Sequence, residues 1–159
     1  MKVLSALLFL TTVTTATAQA GVTRDDILYV ESFAADVGRV HGITVASKLF
    51  TGRDLVNLGL TPKQLLSEKK FASEAEKNLV ARLEAIRQSG TSNLCYQAIV
   101  DLTLKQKGNG MSQALRDLYR HRESLSGPIA EMQTFTSVEL ATSDAVRVAR
   151  DNVDSKCEL

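Results

Sequence analysis

The chain has 159 residues, with 19 basic and 18 acidic side chains, two cysteines, two histidines and no tryptophan, a length that suits one ordinary domain. Hydrophobic content of 44% and charged content of 23% are those of a globular protein, which excludes a collagen-like repeat and wholesale disorder. Two cysteines are too few for a disulfide-dense mini-protein or a four-cysteine metal site, and the balanced charge lacks the positive field of a nucleic-acid binder.

Residues 1–20 have the pattern of a signal peptide. Lys2 is the positive start, residues 3–10 are an apolar run broken only by Ser5, and Ala18-Gln19-Ala20 is the small-x-small cleavage signature. The run is too short for a membrane-spanning helix, which needs about 20 residues, and no later stretch approaches that length. Loss of Lys2 leaves 18 basic against 18 acidic side chains. The expectation is a secreted, extracellular protein of residues 21–159 without an integral membrane segment. The same signal also suits export to a bacterial periplasm.

Helical periodicity dominates residues 21–159, and no segment alternates apolar and polar residues as a strand would. The expected fold is a single all-α domain, an irregular helical bundle of about five to eight helices with one disulfide. Thr23 before Arg24-Asp25-Asp26, with Val22 and Ile27 as a hydrophobic staple, marks the first helix start. Its stripe is Ile27, Val30, Ala34, Val37 and His41. Gly38 and Gly42 each weaken it by about 1 kcal/mol, so its end falls between Gly38 and Leu49.

Short helices follow near 53–58 and 62–69, the second opened by Thr61-Pro62-Lys63-Gln64 with Leu60 and Leu65 as staple. A further capping box, Ser73-Glu74-Ala75-Glu76, opens a helix over 74–88 with stripe Leu79, Val80, Leu83 and Ile86. Cys95, Ile99 and Leu102 mark a helix over 93–107, and Gly108-Asn109-Gly110 predicts a break after it. Leu115, Leu118, Arg122 and Leu125 mark the next helix, ending at Gly127-Pro128. Thr136-Ser137-Val138-Glu139 opens the last, with stripe Val138, Ala141, Ala145, Ala149 and Val153. An alternative is a heptad seam through Met111, Leu115, Leu118, Arg122, Leu125, Ile129, Met132 and Thr136, interrupted by the Gly-Pro pair.

In an oxidising compartment Cys95 and Cys157 are expected to pair, stabilising the fold by about 4 kcal/mol through the entropy of loop closure. The predicted helices resist this. Three helices running down, up and down place the two cysteines at opposite ends, about 22 Å apart for a 15-residue helix. Bonded Cα atoms must lie within about 7 Å. Either residues 126–136 cross the bundle or the thiols bridge two chains.

Catalytic signatures are missing. There is no G-x-S-x-G elbow, H-E-x-x-H pair, phosphate-binding glycine loop, dinucleotide fingerprint or EF-hand loop. His41 and His121 are the only imidazoles, and a metal site needs three or four convergent ligands. The carboxylate pairs Asp25/Asp26 and Glu74/Glu76 sit at predicted helix starts, where the helix dipole accounts for them. No catalytic residue, metal site or cofactor is expected.

The densest basic cluster, Arg116, Arg120, His121 and Arg122 beside Tyr119, is a candidate surface for an acidic partner, diluted by Asp117 and Glu123. The functional expectation is a non-enzymatic helical protein that binds another extracellular macromolecule. The alternative is a small extracellular carrier holding an apolar small molecule between helices, lined by Phe33, Phe50, Phe71 and Phe135. A solid core would use the same residues.

Overall fold

The computed structural model describes residues 21–127 and 130–159, so the signal-peptide segment 1–20, Pro128 and Ile129 lie outside the described residues. The described residues form five helices and no strand: α1 (Arg24–Leu49), α2 (Gly52–Asn57), α3 (Pro62–Gln88), α4 (Asn93–Ser126) and α5 (Met132–Cys157). The expected all-α bundle with a Cys95–Cys157 disulfide is the observed one. Three helix starts carry full capping boxes. The hydroxyls of Thr23, Thr51 and Thr61 accept from the amides of Asp26, Asp54 and Gln64, whose side chains accept from the cap amides in return.

Two predicted capping boxes are not helix starts. Ser73 lies inside α3, because residues 63–72 are strong helix formers apart from Ser67 and Phe71, with neither glycine nor proline, and a capping serine acts only where the chain arrives non-helical. Glu76 instead meets Lys107 Nζ at 3.3 Å. Thr136 lies inside α5, where its hydroxyl donates to the Met132 carbonyl at 2.9 Å. The heptad seam is likewise cut, since α4 ends at Ser126 and α5 begins at Met132.

The predicted break at Gly108-Asn109-Gly110 does not occur, and α4 runs unbroken for 34 residues. The reason is tertiary. α1 and α4 cross so closely that a Cβ on Gly110 would overlap the Ala35 carbonyl oxygen, and one on Gly38 would overlap that of Lys107. A Cβ on Gly42 would lie 2.7 Å from the Met111 carbonyl oxygen. Asn109, between the two glycines, is buried towards α5, and its Oδ1 accepts from the hydroxyls of Thr142 and Ser143 at 3.1 Å each. These residues, read as loop formers by local propensity, are the ones that let three helices meet.

The continuity of α4 also resolves the cysteine conflict. With two helices rather than three between them, the start of α4 and the end of α5 are at the same end of an antiparallel hairpin. The Cys95 and Cys157 Cα atoms are 4.8 Å apart across a sequence separation of 62.

Packing places α1 between α3 and α4, with α5 packed chiefly on α4 and reaching α1 through the Arg150–Glu31 ion pair, while α3 barely reaches α4. Apolar burial is split in two. At the disulfide end Val30, Leu79, Ile99, Leu102 and Val153 join all four long helices, the fully buried members each contributing about 2 kcal/mol. At the other end Ala46, Phe50, Leu115 and Tyr119 pack with residues of α2 and α5. The glycine crossing and the Asn109 hydrogen bonds occupy the waist between them. In the first half of α5, Val138 and Ala141 are exposed rather than buried as the predicted stripe had them. Glu139 and Thr142 face α4 instead, because Arg116 and Asn109 give them partners there.

Candidate functional site

The predicted basic cluster is divided by the geometry of α4. Arg116 lies between Asp117 at 2.8 Å and Glu139 at 3.1 Å. The hydrogen bond to Asp117 raises its pKa above the ordinary guanidinium value; partial burial opposes this, and the charges of Asp117 and Glu139 add to the rise. Tyr119 is buried, its ring 4.9 Å from Phe50 and 4.1 Å from Phe135. Arg122 lays its guanidinium over the Phe50 ring at 5.4 Å and contributes to the lowered pKa of Asp54, which the Thr51 hydroxyl chiefly maintains. Arg120 and His121 are exposed. Arg116, Tyr119 and Arg122 are thus committed to holding α1, α2, α4 and α5 together, and of the cluster Arg120 and His121 face solvent.

The four phenylalanines are also dispersed. Phe50 and Phe135 fill the second apolar cluster, and Phe33 stacks on Tyr29 at 4.5 Å. Phe71 is exposed, with the Arg39 guanidinium 5.9 Å from its ring. They do not line a common cavity.

The surface that the fold leaves open is α3. Because α3 packs on α1, its inner face buries Ala75, Leu79 and Ile86, and the opposite face is exposed among the described residues. Along that outer face runs a row at alternating three- and four-residue steps: Lys63, Leu66, Lys70, Ser73, Lys77 and Val80, all exposed. Leu66 is 69% exposed and Val80 60%. Three lysines at seven-residue intervals are about 10 Å apart on a helix, and the two aliphatic side chains lie between and beyond them. Lysine stems extend the apolar surface while the ammonium groups remain solvated.

A cleft of about 290 Å³ opens beside this row, with Val37, His41 and Thr44 of α1 as its floor and Lys69, Ser73, Glu76 and Lys107 on its walls. A shallow groove along Ser73, Lys77 and Val80 continues it. The row escapes a reading of the sequence that starts a new helix at residue 74, because its register exists only if residues 62–88 form one helix. The signal that could have found it was the absence of any glycine or proline between Pro62 and Gln88.

Among the described residues no three His, Cys, Asp or Glu side chains converge as metal ligands, and no helix is long and apolar enough to cross a membrane. No family model, no curated protein and no solved structure matches this chain.

Proposed function

We propose that this protein is a secreted, non-enzymatic helical module that binds another extracellular protein through the outer face of α3. The observation that carries this reading is the lysine–aliphatic row, which is exposed along its length among the described residues. Leu66 and Val80 expose apolar surface that helix amphipathicity would otherwise make polar. Lys63, Lys70 and Lys77 repeat at the heptad interval, so the complementary surface is a helix carrying acidic side chains at the same interval and apolar ones between. The signal-peptide pattern of residues 1–20 supports a partner outside the cell. The clefts beside α3 are open to solvent, and the phenylalanines that would shelter an apolar ligand are scattered. The surface therefore favours partner binding over carriage of an apolar ligand.

The test is photo-crosslinking from position 66 or 80 of the intact protein in its native extracellular fluid, with a control crosslinker at the equally exposed Leu104 of α4. One discrete adduct is expected from the α3 positions and none from position 104. The double charge reversal K70E/K77E is expected to abolish it with thermal stability unchanged. Equal labelling from α4, or an adduct indifferent to charge reversal, would remove the proposal.

A further inference from the structure

We propose that Cys157 is a site of reversible thiolation, at which a low-molecular-weight thiol of the glutathione class opens the disulfide with Cys95 as the leaving thiolate. The start of α4 and the end of α5 frame an open cleft of about 260 Å³ that both cysteines line together with Ser92, Lys156 and Glu158. The two sulfur-bearing residues are not equivalent. Cys95 is 3% exposed and packed into the apolar cluster at this end, whereas Cys157 is partly exposed. An incoming thiolate therefore reaches Cys157 first.

Electrostatics assigns the same direction. Cys95 is the third residue of α4, its amide held by the Ser92 hydroxyl at 3.2 Å, and a thiolate there sits at the positive end of the helix dipole. Cys157 is the last residue of α5, at the negative end of that dipole. Burial in the apolar cluster opposes a thiolate at Cys95, while the start of α4 favours it and the end of α5 disfavours one at Cys157; with attack directed to the more accessible Cys157 Sγ, exchange releases Cys95 and retains the adduct on Cys157. Lys156 on the cleft wall attracts an anionic thiol, with Glu158 opposing it in part.

In the step, the attacking thiolate sulfur bonds to Cys157 Sγ, the Cys95–Cys157 bond breaks and its electron pair goes to Cys95 Sγ. One disulfide is exchanged for another with no net oxidation. A second thiol attacking the adduct would yield the oxidised small-molecule disulfide and leave both cysteines reduced. Opening the bond frees the end of α5 and Leu159, which pack on the cluster at this end, from their covalent tie to α4.

The experiment uses the native protein and reduced glutathione at neutral pH. Released thiol is blocked with N-ethylmaleimide, the sample is acidified and digested with pepsin, and the modified peptides are mapped by mass spectrometry. Glutathione on Cys157 with maleimide on Cys95 is expected in about tenfold excess over the reverse product. Equal amounts, or an excess on Cys95, would overturn the proposal. So would adducts that form only at urea concentrations where helical circular dichroism is lost.

Discussion

Replacing Gly110 with alanine is expected to destabilise the protein, while the same change at Gly108, two residues away in the same helix, is expected to stabilise it. Both substitutions gain about 1 kcal/mol of intrinsic helix propensity. At Gly108 an added Cβ meets nothing within 4 Å, so that gain is retained. At Gly110 the Cβ would overlap the Ala35 carbonyl oxygen and lie 3.1 Å from both the carbonyl carbon and the Cα of Ala35. These are main-chain atoms of α1 and cannot rotate aside. Relief requires α1 and α4 to separate by about 1 Å, loosening the contacts on either side of the crossing. Overpacking of this kind costs about 3 kcal/mol at the upper end of its usual range, leaving a net loss of about 2 kcal/mol. For a domain of this size that is a fall in Tm of about 6 °C for Gly110→Ala, against a rise of about 3 °C for Gly108→Ala. Thermal and urea unfolding followed by far-UV circular dichroism, with the disulfide intact, would measure both. A Gly110→Ala protein as stable as the parent would refute the close crossing of α1 and α4. Gly38→Ala, directed at the Lys107 carbonyl, is expected to behave like Gly110→Ala.

Two further outcomes follow from the ion pairs. Glu31 is 5% exposed, and its Oε1 accepts from Arg150 Nη2 at 2.6 Å and Nε at 3.0 Å. Arg150→Ala leaves that carboxylate in the wall of α1 without its charge partner and is expected to cost about 2 kcal/mol by urea unfolding; a loss under about 0.5 kcal/mol would show that solvent replaces the guanidinium. At Asp26, burial opposes ionisation, but the Thr23 hydroxyl and amide and the Arg82 guanidinium outweigh it and hold the pKa below 3.8. A carboxylate depressed on folding contributes stability above its unfolded pKa and loses it as pH falls through the folded value. Between about pH 5 and pH 2 the parent should therefore lose more stability than Asp26→Asn, which starts less stable at neutral pH. Parallel pH profiles for the two proteins would contradict this.

What could be read from the sequence follows from chemistry that acts within one turn of chain. Thr23 and Thr61 mark helix starts because a hydroxyl, a carboxylate or amide three residues on and the intervening amides meet whatever the rest of the chain does. The all-α class and the expectation that Cys95 and Cys157 pair come from periodicity and cysteine count in the same local way. Tertiary structure decided the rest. Gly108, Asn109 and Gly110 have the propensities of a turn, yet they lie in a helix because α1 approaches to backbone contact on one side and Thr142 and Ser143 bond Asn109 on the other. That single continuity sets the parity of the helices, brings the cysteines to one end and turns the polar residues Glu139 and Thr142 inward. It was invisible along the chain because its energy comes from atoms 33 or more residues away. The outer face of α3 was hidden for a related reason: whether a helical row is core or surface depends on which neighbours pack against it, and only the assembled fold leaves Leu66 and Val80 in water.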